Sequence, residues 1–310
     1  MTPHTVVRSS ALLAIVAMIV ALPACSTREV PPPVRTFNTA EDAVKALIAS
    51  AKDSNLSELI AIFGPDATEL VQSSDATTAR RNREVFVAAA AEEWRLSSEG
   101  PNRNILVIGR EQWPFPIPIV MEGNRWRFDT AAGKEEIVDR RIGRNELAAI
   151  RVCHTYVAAQ RVYAKYAHDG RPAGIFAAAF RSEPGRQDGL YWPTTKGQRR
   201  SPLGDLVAQA TIDGRSAAGQ PAPFYGYYFK ILTSQGPAAP GGAKDYINAG
   251  SMTGGFALVA WPADYDRTGV MTFIVAQDGI VFQKDLGAET ADAARQLARY
   301  DPDASWTRVQ

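Results

Sequence analysis

Cysteine and histidine are scarce in this chain, and that scarcity narrows its chemistry. Two Cys in 310 residues cannot build a disulfide framework or a Cys-rich metal cluster, and three His leave little material for a histidine metal site. Charge of one sign is also missing. The 34 Lys+Arg stand against 33 Asp+Glu, a net of +1, which argues against nonspecific nucleic-acid binding, since that needs a large basic excess. What remains is a globular composition, 45% hydrophobic and 22% charged, long enough for two ordinary domains or one large one.

The first residues read as an address. Arg8 is the only charge before an apolar run from Ala11 to Leu22, too short for a comfortable membrane span. A basic start, an apolar stretch and small residues after it predict a secretory signal over 1–24. The run closes Leu22-Pro23-Ala24-Cys25-Ser26, which resembles a bacterial lipobox, although Pro23 departs from its usual small or apolar residue. The resemblance implies acylation of Cys25, anchorage to a membrane on the periplasmic side of the envelope, and, from Ser26, sorting to the outer membrane. Ala24 and Ser26 also suit plain small-x-small cleavage with release into the periplasm, and both readings stay open here. Glu29 to Phe37, with three consecutive prolines, favours stiff polyproline II, so 25–35 is assigned to the acylated Cys and its tether. Loss of 1–24 removes Arg8 and no acid, leaving 33 cations against 33 acids. Cys153 is then the one unmodified thiol, and its apolar helical neighbours predict a buried, inert side chain.

Residues 36–138 predict a first α+β domain. Thr39 with Asp42 reads as a capping box before Ala43, Val44, Leu47 and Ile48. A second helix runs from about Asn55 to Gly64-Pro65, and a third from about Arg80 to Arg95. Strands follow at Asn104–Gly109, Ile117–Met121 and Arg125–Asp129, the last two joined at Glu122-Gly123-Asn124. Trp113–Pro118 has proline at every second position, which confines it to a sheet edge or bulge. Helices first and an antiparallel sheet after them resemble the small nuclear-transport-factor-2-like cones. A catalytic cone would want a buried acid/base pair, and no His lies between Ser26 and Arg151, so a binding or structural role is expected.

Residues 139–310 predict a second α+β domain. A long helix from near Asn145 to about Tyr166 carries an apolar stripe through Ala149, Val152, Cys153, Tyr156, Ala159, Tyr163 and Tyr166, with Arg151, Gln160, Arg161 and Lys165 assigned to its polar face. An irregular stretch to about Pro223 follows, with a short helix expected at 174–181. Four strands are expected at Tyr225–Leu232, Phe256–Trp261, Val270–Gln277 and Ile280–Lys284, the last pair turning at Asp278-Gly279, and a final helix at Glu289–Tyr300. Asn145-Glu146-Leu147-Ala148-Ala149-Ile150, then Ala159-Gln160 and Tyr163, resemble the helix opening a type IV pilin or pseudopilin head. Here the helix follows a charged segment, Asp139 to Arg144, where pilins carry an apolar extension, which argues against polymerisation by that route.

Across nearly the whole mature chain, Trp113–Pro118, Trp126–Gly133, Arg140–Ala149, Asp188–Pro193, Tyr225–Leu232, Gly254–Pro262 and Gly269–Val275 resemble the bacterial family catalogued as domain of unknown function 2950. The resemblance implies export and assigns no activity.

The candidate site residues are few. Asp188, Tyr191 and Trp192 with Tyr225, Tyr227 and Tyr228 could form a stacking platform for a sugar or peptidoglycan fragment, or simply pack a loop onto the sheet. Arg140, Arg141 and Arg144 form a basic cluster suited to an anion or lipid headgroup, or to a solvated domain junction. Gly236 to Lys244 lacks the Gly-Lys-Ser/Thr ending of a phosphate loop, and Pro237 and Pro240 remove amide donors. No cofactor or metal motif is recognised, and His168-Asp169-Gly170 reads as a helix-ending turn. Three expectations follow: an envelope lipoprotein that binds a partner protein or cell-wall component, a hydrolase using carboxylates such as Asp188 and Asp245, and a pilus- or secretion-associated subunit.

Overall fold

Thr39 opens the first helix by accepting the Asp42 amide on its hydroxyl at 3.0 Å, as its sequence predicts. The computed structural model describes residues 34–71, 76–194, 197, 199–203 and 222–310, so the predicted leader, Cys25 and the tether up to residue 33 lie outside the described residues. Helix α1 (Ala40–Lys52) is followed by α2 (Leu56–Phe63), which Asn55 caps through the Glu58 amide and Gly64 ends at φ +88°. Short α3 (Thr68–Val71) and α4 (Ala76–Glu92) complete the first helical layer.

Strand β1 (Trp94–Ser98) begins where the sequence predicted the end of a helix. It pairs antiparallel with β2 (Arg103–Ile108) over its whole length, from Trp94 opposite Ile108 to Ser98 opposite Asn104, and that ladder overrides the local helical pattern. Strands β3 (Trp113–Pro114), β4 (Ile119–Glu122) and β5 (Arg125–Phe128) complete an antiparallel sheet of order β1-β2-β4-β5, with β3 beside β2. Proline confines β3 to that marginal place, and the intervening Phe115 donates its amide to Leu106 at 2.7 Å. Helices α1, α2 and α4 pack on this sheet around Val44, Ile62, Leu106, Ile119 and Phe128, all buried.

The next helix, α5 (Thr130–Ala164), has 35 residues and is about 52 Å long. It starts fifteen residues before the predicted Asn145, so the charged segment 139–144 is helix interior. Asp129 caps it through the Ala132 amide, Gly133 packs against Ile117, and Glu136 pairs with Arg140 at 2.7 Å one turn apart. The boundary placed at 138/139 therefore falls within one continuous helix that runs from the first apolar core into a second.

The second core is built on β6 (Tyr227–Leu232), β11 (Ala257–Pro262), β12 (Met271–Ala276), β13 (Val281–Asp285) and β14 (Thr307–Arg308), antiparallel in the order β14-β13-β12-β11-β6. Between β6 and β11 lie the two-residue strands β7 (Ser234–Gln235), β8 (Lys244–Asp245), β9 (Ile247–Asn248) and β10 (Ser251–Met252). All six residues of β11 are buried, as its unbroken apolar run predicts. Tyr227 faces Glu146 and Cys153 of α5, whereas Lys230, on the other face by strand period, donates to Ala294 and Arg295 of α6 (Thr290–Gln296). The sheet is thus a middle layer between two helices. Both parts combine helices with antiparallel sheet, and the chain is α+β.

Four further sequence expectations are corrected. No helix forms over 174–181, because Gly174 sits at φ +94° and the backbone of Ala177 bonds the Gln160 side chain instead of a helical neighbour. Gln160 itself is fully buried rather than on the polar face, and Tyr166, assigned to the apolar stripe, is 40% exposed. Helix α6 stops at Gln296, short of Tyr300, which turns back so that its amide bonds Ser234. Among the described residues no helix is long and apolar enough to cross a membrane.

Candidate functional site

At the C-terminal end of α5 the chain folds back on itself. Asp169 and Gly170, at φ +48° and +78°, close a two-residue turn that pairs His168 with Arg171. The buried His168 ring lies stacked 4.0 Å from Tyr163, and Trp192 meets both rings edge-on at 5.7 and 6.5 Å. His168 Nε2 lies 3.0 Å from the Tyr163 carbonyl and Nδ1 3.3 Å from Gln187 Oε1. Tyr163 donates its hydroxyl to the Gln187 carbonyl, and burial pushes this phenol up to about 12 against the pull of Arg171.

Asp188 sits in the same loop. Its carboxylate accepts the Glu183 amide at 3.0 Å, and Arg186 bridges it, at 3.5 Å, to Asp169, at 3.8 Å. Tyr191 lies under the Arg181 guanidinium at 4.8 Å. Trp192 is 3% exposed and donates its indole N–H to the Arg199 carbonyl. These residues fasten the loop to the helix end.

The strand half of the predicted platform lies elsewhere. Tyr227 is fully buried, its hydroxyl bonded to the Met271 carbonyl, and Tyr228 packs on Trp261 at 6.1 Å. Only Tyr225 is widely exposed, at 56%. Its neighbour Gly226 lies against Asn145 and Thr268, and a methyl group there would meet the Asn145 amide nitrogen at 2.7 Å. Trp192 packs on Tyr163, eighteen residues further along α5, which is about 27 Å of helix. The structure therefore does not bring the two aromatic groups together, and Trp192 and Tyr227 present no open ring face for stacking.

The basic cluster is separated as well. Arg140 donates to Glu136 and to the Pro114 carbonyl at 2.7 Å, with its guanidinium 5.6 Å over Trp113. Arg141 donates to the Arg267 carbonyl at 3.0 Å, and Arg144 is exposed. The three lie ten or more residues inside α5, not at its N-terminus, so the helix dipole has little say in their placement.

A depression lined by Glu93, Trp94, Arg95, Val107 and Gln112 offers about 50 Å³ to water-sized molecules, below the usual range of ligand pockets. Gln112 bonds both Arg95, at 2.8 Å, and Glu93, at 2.6 Å, across it. In the glycine-rich loop after Gly236, the Ala238 amide is already taken by the Asp301 carboxylate at 2.8 Å, and Gln235 holds the Pro240 and Gly242 carbonyls. A carboxylate thus stands where a phosphate would need a free donor. Asp245 lies in β8, exposed, outside the loop that holds Asp188. Among the described residues, no group of three or more His, Cys, Asp or Glu is placed to hold a metal ion.

A family model described as protein of unknown function (DUF2950) matches residues 34–309. The chain belongs to this family. No curated protein and no solved structure matches it. The match begins at Val34, where the described structure also begins.

The polar-face assignment of Gln160 hides a well-connected polar side chain of the second core. Gln160 donates to the Tyr156 hydroxyl at 3.1 Å and the Ala177 carbonyl at 2.7 Å, and accepts the Ala177 amide at 2.9 Å. Tyr156 in turn donates to Ala257 of β11. The signal was available: Gln160 stands between Tyr156 and Tyr163 at spacings of four and three, inside the apolar stripe. This buried network ties helix, loop and sheet together, and a satisfied network of this kind fixes one packing arrangement.

Proposed function

We propose that the protein is a bacterial envelope lipoprotein with a non-enzymatic binding or structural role. The leader is removed, Cys25 is acylated, and the folded body works on the periplasmic side of the envelope, held at the outer membrane. The observation that carries this reading is the sequence Leu22-Pro23-Ala24-Cys25-Ser26, whose Cys25 lies nine residues before Val34, the first described residue. Each buried acyl CH₂ contributes about 0.8 kcal/mol, so several chains anchor firmly. The non-enzymatic part is supported by how the nominated chemical groups are engaged. Asp188 caps a turn, Trp192 and Tyr227 are core residues, and Cys153 is buried with its thiol pushed up to about 12. The partner under this reading is another envelope protein or a cell-wall component.

Labelling cells with a palmitate analogue tests the anchor. Label is expected on the wild-type protein and not on Cys25→Ala, with the shortened product in the membrane fraction. An unlabelled, full-length product in the cytoplasm would overturn the reading. Crosslinking in intact envelopes tests the role, since a binding protein is expected to give one reproducible adduct.

A further inference from the structure

After Glu146, helix α5 carries no carboxylate through Ala164, and its exposed side carries cations interleaved with apolar side chains. Arg144, Leu147, Arg151, Arg161, Val162 and Lys165 recur at helical spacing and are all exposed, Leu147 at 59% and Val162 at 43%. Glu146 itself faces the sheet, where it accepts the Val270 and Met271 amides at 2.9 and 3.0 Å. Arg161 spends one donor on the Gln277 carbonyl, whereas Arg144, Arg151 and Lys165 have no ion-pair partner among the described residues. At the end of the stripe Tyr166 is 40% exposed, and the Arg199 guanidinium lies 3.4 Å over its ring. Cations and exposed apolar side chains along one helical face are the pattern of a helix lying on a charged membrane surface.

The position of Val34 suits that surface. Val34 packs on Gly64, and the Phe63 carbonyl accepts the hydroxyl of Thr130, the first residue of α5. The chain toward Cys25 thus leaves from the N-terminal end of the long helix. Nine residue steps of polyproline II from Cys25 to Val34 would reach about 28 Å, and Arg144 lies about 21 Å along the helix from Thr130.

We infer that the exposed face of α5 from Arg144 to Lys165 docks on an anionic phospholipid surface, a second membrane contact beside the acylated Cys25. This rests on the lipoprotein reading for its setting. The contact lays the body along the membrane instead of leaving it free on its tether, and it fixes which surfaces of the second core face the periplasm. Its ligand is a sheet of lipid phosphates, and its strength falls with salt because the exposed charges are screened.

The test uses the mature chain from residue 25 with Cys25→Ser, so that no acyl chain carries it to lipid. Vesicles of phosphatidylcholine with about a third phosphatidylglycerol are compared with phosphatidylcholine alone. Binding is expected only with the anionic lipid and is lost in high salt. The variant Arg144→Gln/Arg151→Gln/Lys165→Gln should bind about a hundredfold more weakly, roughly fivefold for each cation. An equal charge change on α1 and α4, Lys45→Gln/Arg80→Gln/Arg81→Gln, should bind as the parent does. A fluorophore on Ala158→Cys, with Cys153 buried and unreactive, should be quenched by headgroup-labelled anionic vesicles. Equal binding to both lipids, full binding by a stably folded triple variant, or an unquenched label would each overturn the inference. Because the protein tested lacks Cys25, these failures say nothing against acylation, and failed palmitate labelling leaves the vesicle result standing.

Discussion

Arg140 and Arg141 are neighbours in the chain and hold opposite halves of the molecule. Arg140 donates to the Pro114 carbonyl beside the first sheet, and Arg141 to the Arg267 carbonyl beside the second. A helix turns by about 100° per residue, so adjacent side chains reach different partners from one rigid rod. What the sequence presents as a loose basic junction is the fastening between two cores.

Each of these arginines is partly exposed and bonds a backbone carbonyl, a contact with a net value of about 1 kcal/mol. Arg140→Ala and Arg141→Ala are each expected to lower stability by about that amount in urea unfolding. The double variant should also raise hydrogen exchange across 136–146, where the helix depends on both cores. Unchanged exchange in the double variant would mean that the helix holds the junction alone.

Gln160 gives a larger prediction. Gln160→Leu keeps the size of the side chain but leaves the Ala177 amide and carbonyl without their partner inside the protein. Each orphaned buried group costs about 1–3 kcal/mol, so a loss of about 3 kcal/mol or more is expected, measured by urea unfolding. Ser50, also buried but bonded only to Ala46 of its own helix, is expected to tolerate Ser50→Ala with a much smaller loss.

The elements that sequence made legible are those with local causes. Thr39 and Asn55 cap their helices, Gly64 stops one, and the alternation around Tyr227 and Phe229 marks a half-buried strand. The misread elements depend on distant partners. Strand β1 exists because β2 pairs with it, and 174–181 stays irregular because Gln160 supplies its hydrogen bonds. The first fifteen residues of α5 were hidden by Gly143 and by charges that only the two flanking cores explain. The candidate platform failed for a related reason. Aromatic residues look alike whether they stack on a ligand or fill a core, and only the placement of Trp192 and Tyr227 tells these apart.

The two glycines of α5 should respond oppositely to the same change. At Gly143 a methyl group would meet nothing within 4 Å, so Gly143→Ala should stabilise the helix by about 0.5–1 kcal/mol. At Gly133 a Cβ would lie 2.5 Å from the Ile117 side chain and 3.0 Å from its Cα, so Gly133→Ala must push the first sheet away from the helix. Overpacking of that kind costs about 1–3 kcal/mol. Thermal melting of the two variants, one raised and one lowered, checks both statements at once.

Alkaline pH should attack the second core first. All ten tyrosines lie at or after Tyr156, so the first core has none. Burial pushes the Cys153 thiol and the Tyr163 and Tyr246 phenols up to about 12, and raises Tyr156, Tyr227 and Tyr300 as well. Unfolded, these groups ionise near their ordinary values of about 8.5 for Cys and 10 for Tyr. Above those values the unfolded chain has lost protons that the folded chain keeps, so stability falls as pH rises. The stabilisation is complete below about pH 8.5 and drains between roughly pH 9 and 12. Tyrosinate absorbance should therefore show the buried phenols Tyr156, Tyr227 and Tyr300 appearing only as the second core unfolds. Thiol reagents should leave Cys153 untouched at neutral pH and modify it in that same unfolding step. With the other four tryptophans replaced by Phe, Trp126 in the first sheet and Trp261 in the second give separate reporters in single-tryptophan variants, and the Trp261 transition should come at the lower pH.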